Sequence, residues 1–237
     1  DEAVHVARVG NVYAAEGKSG TSRGISMQLR QTGFGTSYGK NKVTYNDFDF
    51  WVYRAPHFDV MYYPEEEAFL DEGVAFSETA YQTLRRLLNH DLSERTPIIY
   101  YQTHQEFEQT HIFPYFLPEG VAAFAEPTIN RLVLPVDDPP DELLKLLTHE
   151  ITHIFEYDFF FGSEVGRNLR MAPPNWVMEG FAEYVSDNLT TLDEMMLRDV
   201  VLDDQIPTLS QMTYNRGFFV DYVLGQVVFD YIDEEYG

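Results

Sequence analysis

His149-Glu150-Ile151-Thr152-His153, with Asp141-Glu142-Leu143-Leu144-Lys145-Leu146-Leu147-Thr148 before it and Ile154-Phe155-Glu156-Tyr157 after it, is the stretch whose reading decides the fold. Apolar residues recur at helical spacing, so Asp141 to Tyr157 is expected to be one helix. Leu143, Leu144, Leu147, Ile151, Ile154 and Phe155 fall on one face. His149, His153, Glu142, Glu156 and Tyr157 fall on the other. A spacing of four turns both imidazoles the same way, so they can reach one ion. Glu150 lies beside them, where it can take a proton from water at that ion. The bland alternative is a surface helix with two solvated histidines. A clean apolar face opposite the histidines argues against it, because such a helix buries one side and offers the other to a cleft.

A catalytic metal needs a third protein ligand and an open position. The next helix, expected over Pro174 to about Asn188, supplies a candidate. In it Trp176, Glu179 and Glu183 share one face, and Val177, Phe181, Tyr184 and Val185 the other. Glu179 is the expected third ligand. Glu183, one turn on, is the expected acceptor for the second N–H of a ligating histidine. The ion expected on such a set is zinc. His5, His57, His90, His104 and His111 lack ligand spacing and are read as surface or structural.

Outward from these helices the chain changes character. Further helices are expected over about 191–202 and 214–235. N-terminal to Pro139-Pro140 the pattern is strand-like. Phe48, Phe50 and Val52 alternate with Asp47, Asp49 and Trp51, and Phe58, Val60 and Tyr62 follow Pro56. Ile98 to Tyr101, Val121 to Ala125 and Ile129 to Leu134 read as further strands. Glu65 to Asn89 reads as a long helix softened at Gly73. Residues 1–37 are read as an arm of extended or loosely paired chain. Strands first and helices later imply an α+β domain over 38–237, sheet-rich to 135 and helical from 136.

Composition narrows the function classes. A hydrophobic content of 44% is enough for a sizeable core. The 39 acidic residues outnumber 16 basic ones, for a net charge of −23. Such a surface repels nucleic acid and anionic lipid, so neither is expected as a partner. There is no cysteine, so any metal must sit on His and carboxylate. That absence also fits an exported bacterial protein. The chain opens at Asp1, not Met, which fits either removal of an upstream signal peptide or a start chosen within a longer chain. No Gly-x-Ser-x-Gly elbow or phosphate-binding glycine loop competes as a catalytic centre.

With these residues in view, the sequence resembles the gluzincin metallopeptidases, and more closely the peptidase MA-like domains of exported bacterial proteins. The likeness rests on four stretches: Tyr38 to Val43 with Asp47 to Tyr63, Glu119-Gly120 to Leu134, Leu147 to Phe155, and Asn175 to Tyr184. It implies a thermolysin-like zincin with a small N-terminal mixed sheet, placed in the periplasm or cell envelope, that hydrolyses peptide or protein substrates. Val121 to Ala125 would be the edge strand, with the backbone of Gly120, Val121, Ala122 and Ala123 binding extended substrate. Tyr214, in Tyr214-Asn215-Arg216-Gly217, would hydrogen-bond the developing oxyanion, with Tyr157 and Tyr184 as rivals. The strand lacks the Gly-x-Met-Glu-Asn motif of aminopeptidases; Glu126 is the residue that would stand in for its glutamate. Such proteins often continue into a TolB-type β-propeller, so a propeller after Gly237 or an envelope protein is an implied partner. The competing expectation is a non-catalytic module that keeps the zincin fold.

Overall fold

The computed structural model describes residues 7–10, 48–110, 121–127, 130–162, 173–215 and 217–237. Six strands form one mixed sheet: β1 (Ala7–Gly10), β2 (Asp49–Arg54), β3 (Phe58–Tyr62), β4 (Thr96–Tyr101), β5 (Phe124–Glu126) and β6 (Arg131–Pro135). Their spatial order is β1-β2-β3-β4-β6-β5. The centre is parallel, with Val60 opposite Ile98 and Ile98 opposite Leu132. Both margins are antiparallel. The molecule is therefore α+β, with its sheet in the N-terminal half and helices dominating after Pro140.

Alternation along the strands divides the core in two. Phe58, Val60, Ile98, Tyr100, Leu132 and Leu134 point to one face, where they meet Tyr81 and Leu84 of α1 (Glu67–Leu88) and Leu143, Leu147, Ile151 and Phe155 of α3 (Pro140–Phe161). Phe50, Ile99, Tyr101 and Val133 point to the opposite face, against Phe107 of the short α2 (His104–Phe107). A central strand buried on both sides must be apolar throughout, which is why β4 reads as a continuous run. Gly73 does not soften α1. A Cβ there would meet the Phe69 and Tyr100 rings at 2.6 and 2.9 Å, so the glycine lets Tyr100 lie against the helix.

α3 starts with Pro140 in its first turn, where a missing N–H costs nothing, followed by Asp141 and Glu142 near the positive end of its dipole. It ends at Gly162, whose φ is +52°. The remaining helices are α4 (Asn175–Ser186), α5 (Thr191–Leu202), α6 (Leu209–Tyr214), a π-helical turn (Phe219–Leu224) and α7 (Gly225–Tyr236).

Two further expectations need correction. The helix expected over 214–235 is broken: α6 ends at Tyr214, Gly217 has φ +154°, and helix resumes with the π-helical turn. The Val121–Ala125 strand is shorter than expected. Only Phe124–Glu126 pairs with β6, as an edge strand, and Val121–Ala123 lead into it outside the ladder. Of the N-terminal arm, residues 7–10 form β1; the rest of 1–37 lies outside the described residues.

Candidate metal centre

α3 presents His149, Glu150 and His153, and α4 crosses it with Glu179 and Glu183. α4 is held from behind by α7, and at Gly180 the two helices meet backbone to backbone. A Cβ on Gly180 would lie 2.4 Å from the Gly225 carbonyl carbon, so the two backbones touch. That contact lies directly beside Glu179 in the chain.

The Nε2 atoms of His149 and His153 are 3.2 Å apart. Glu179 Oε2 lies 3.2 Å from His153 Nε2 and 3.5 Å from His149 Nε2. Ligand atoms bonded at about 2.0–2.1 Å to a tetrahedral ion sit about 3.3–3.4 Å from one another. The three spacings therefore match three corners of such a tetrahedron. The Nδ1 atoms are engaged elsewhere: His149 Nδ1 lies 3.2 Å from Glu183 Oε1, and His153 Nδ1 2.8 Å from Glu156 Oε2. In a neutral imidazole whose Nδ1–H donates to a carboxylate, the Nε2 lone pair is left for a ligand, so these contacts suit both histidines to hold one ion. Glu179 Oε2 is sealed from solvent without a well-aligned hydrogen bond. A cation at their centre would satisfy all three atoms. The group His149, His153 and Glu179 can hold a metal ion, and among the described residues it is the group found with that geometry.

The electrostatics agree. Burial opposes charge on His149, but the Glu179 and Glu183 carboxylates outweigh it and lift its pKa to about 9. Burial opposes charge on His153 too, and Glu156 and Glu179 raise it well above its usual value. Burial works against the Glu179 carboxylate, yet the two histidines beside it hold it far below the usual range. A site that gathers protons this strongly exchanges them for a dication. Burial raises the pKa of Glu150, the two histidines pull it down, and the Ala125 backbone N–H hydrogen-bonds its carboxylate. Its Oε2 is buried without a partner.

His149, Glu150 and Glu183 open into a cleft of about 490 Å³. Its walls include Val121–Ala123, Glu142, Lys145, His149, Glu150, Glu183, Asp187 and Tyr222. Of the residues expected to bind substrate, Val121, Ala122 and Ala123 line this cleft, and Gly120 lies outside the described residues. Tyr214 is not brought to the cleft. It ends α6 with 82% of its surface exposed, because the chain breaks directly after it. Tyr222 is there instead. Its ring lies parallel to His149 at 6.0 Å between centroids, and burial and the nearby Glu179 carboxylate raise the pKa of its hydroxyl. Tyr157 stacks near His153, while Tyr184 packs on Phe229. Glu126 forms an ion pair with Arg131 at 3.2 Å.

Sequence reasoning missed the roles of Glu156 and Tyr222. Glu156 carried a signal, one turn past His153 on the same face. Tyr222 carried none, because a continuous helix over 214–235 hides the π-helical turn that aims it. Of the remaining histidines, His57 pairs with Glu78, His90 with Asp158 and His104 with Glu108. His5 and His111 lie outside the described residues. Among the described residues no helix is long and apolar enough to cross a membrane. Compared with known protein families, curated proteins and solved structures, the chain matches none of them.

Proposed function

We propose that the chain is a zinc-dependent peptidase of the thermolysin-like, gluzincin kind, acting on exported or envelope proteins of a bacterium. The observation that carries this reading is the convergence of His149 Nε2, His153 Nε2 and Glu179 Oε2 at 3.2–3.5 Å, at the side of an open cleft. Two imidazoles and one carboxylate suit zinc, and three ligands leave a fourth position for water or substrate. Bound there, zinc supplies Lewis acidity, polarising a carbonyl and making water acidic near neutral pH.

The chain's own groups do the rest. Glu150 is the general base. Its buried Oε2 accepts a proton from the attacking water and returns it to the leaving amine. Burial, which raises its pKa, suits a group that must both take and give a proton. The Tyr222 hydroxyl donates to the oxyanion that develops on the substrate carbonyl. Val121–Ala123 offer backbone to an extended peptide along the cleft.

The test is metal content and cleavage together. Purified protein should hold about one zinc per chain and cut an unfolded protein. Glu150→Gln should keep the zinc and lose the cutting. Zinc bound without cleavage of any peptide in a broad library would leave the non-catalytic module as the reading.

A further inference from the structure

We propose that Asp221 is a positioning residue for Tyr222: its carboxylate holds the start of the π-helical turn so that the Tyr222 ring stays over His149. The inference rests on the reading of Tyr222 as oxyanion donor and adds what aims it.

The chain breaks at Gly217, whose φ is +154°, and winds again from Phe218. Two hydrogen bonds close that restart. Asp221 donates its backbone N–H to the Gly217 carbonyl at 2.9 Å, and its Oδ2 accepts the Gly217 N–H at 3.3 Å. Glycine has no side chain to cap the turn, so the carboxylate four residues on reaches back to it, as the acidic half of a capping box does. The residues that follow the two bonded partners are Phe218 and Tyr222, which both line the cleft. Their rings stack at 5.1 Å and 19°, and the Tyr222 ring lies parallel to His149 at 6.0 Å. Tying Gly217 to Asp221 therefore sets the spacing of Phe218 and Tyr222, and so the register of three stacked rings.

Capping accounts for a carboxylate at this position but not for a buried one. An exposed acid would complement the helix dipole as well. Asp221 is only 6% exposed, and its Oδ1 has no hydrogen-bond partner. Burying an unpartnered carboxylate oxygen costs stability. Such a cost is expected where a side chain is kept for placement at a functional site rather than for folding.

The experiment joins kinetics and NMR on zinc-loaded protein, with an internally quenched peptide as substrate. Asp221→Leu keeps the branched shape and removes both acceptor atoms. It should lower kcat about 10–100-fold, the scale of a small misplacement at a reacting centre, with zinc content and KM unchanged. Asp221→Asn, which can still accept the Gly217 N–H, should restore turnover. Asp221→Leu/Tyr222→Phe should be no slower than Tyr222→Phe, because a residue that acts through Tyr222 then has nothing to act through. Should Asp221→Leu lose its thermal transition, Asp221→Ala, which adds no atoms, decides by the same readings. Wild-type kcat without the acceptors, Asn as slow as Leu, or losses that multiply in the double variant overturn the proposal. Histidine-labelled protein reads the geometry without catalysis. Tyr222→Leu should shift the His149 ring resonance by removing the ring current beside it, and Asp221→Leu should shift it the same way. A His149 resonance that Asp221→Leu leaves in place also overturns the positioning role. Both shifts in a protein that cuts no peptide remove only the peptidase reading.

Discussion

His149 Nδ1 lies 3.2 Å from Glu183 Oε1, one helical turn beyond Glu179 on the crossing helix. One helix therefore carries both the residue that could ligate an ion, Glu179, and the carboxylate that would fix which imidazole nitrogen carries the proton, Glu183. Such outer carboxylates are typically worth about 10–100-fold in metal affinity. Glu183→Ala should lower zinc affinity by that factor in competition with a chelating dye, with the circular dichroism spectrum retained. Unchanged affinity would show that the tautomer is set some other way.

The two tyrosines offer a sharper contrast. Tyr222→Phe should keep the zinc and lose about 100-fold or more in kcat, as removal of an oxyanion donor does. Tyr214→Phe should behave as wild type, since that ring is in solvent. A π-helical turn carries one extra residue, so deleting Val220 should restore α-helical winding and swing Tyr222 off His149. That deletion should match Tyr222→Phe in peptide turnover. Equal activity of Tyr222→Phe and wild type would remove the tyrosine from the reaction.

Much of this was legible beforehand because it is periodic. The buried face of α3 is written in Leu143, Leu147, Ile151 and Phe155, and the same 3.6-residue period puts His149 beside His153. Alternation at Phe58, Val60 and Tyr62 marks β3 in the same way. What stayed hidden depends on tertiary contact. Gly73 looks like a helix breaker until Tyr100 is seen against it. Tyr222 looks like one more residue in a helix until a π-helical turn and the Gly217 break are known. The contact between Gly180 and Gly225 joins residues far apart in sequence, and no local pattern reports it.

Protons and metal compete for the centre, and the sign can be worked out. His149 has a folded pKa raised to about 9 from its ordinary 6.5, so its protonation stabilises the metal-free fold. That contribution is fully present below pH 6.5 and is lost as pH rises through about 9. His153, raised in the same direction, adds to it. In chelator the thermal midpoint should fall between about pH 6.5 and 9. With excess zinc the fall should flatten or reverse, because metal takes the place of the protons. A chelator curve that is level across this window would mean that the histidines are not charged in the metal-free fold.

Gly180 gives the most discriminating test of what holds the centre together. In an isolated helix Gly→Ala stabilises by about 1 kcal/mol. Here the new methyl would lie 2.4 Å from the Gly225 carbonyl carbon and 2.5 Å from its Cα, both backbone atoms that no rotamer change can move. Overpacking costs about 1–3 kcal/mol where side chains can yield, so Gly180→Ala should destabilise at or beyond that upper end. Gly225→Ala, whose methyl would meet the Trp176 carbonyl oxygen at 2.5 Å, should do the same. Because Glu179 adjoins Gly180, pushing α4 off α7 also displaces the proposed third ligand. Both substitutions should therefore weaken zinc binding along with chemical stability, read by urea denaturation and dye competition on the same samples. Stability lost with zinc affinity intact would mean that α4 is positioned by α3 alone; a gain in stability would mean that the two helices do not touch at these glycines.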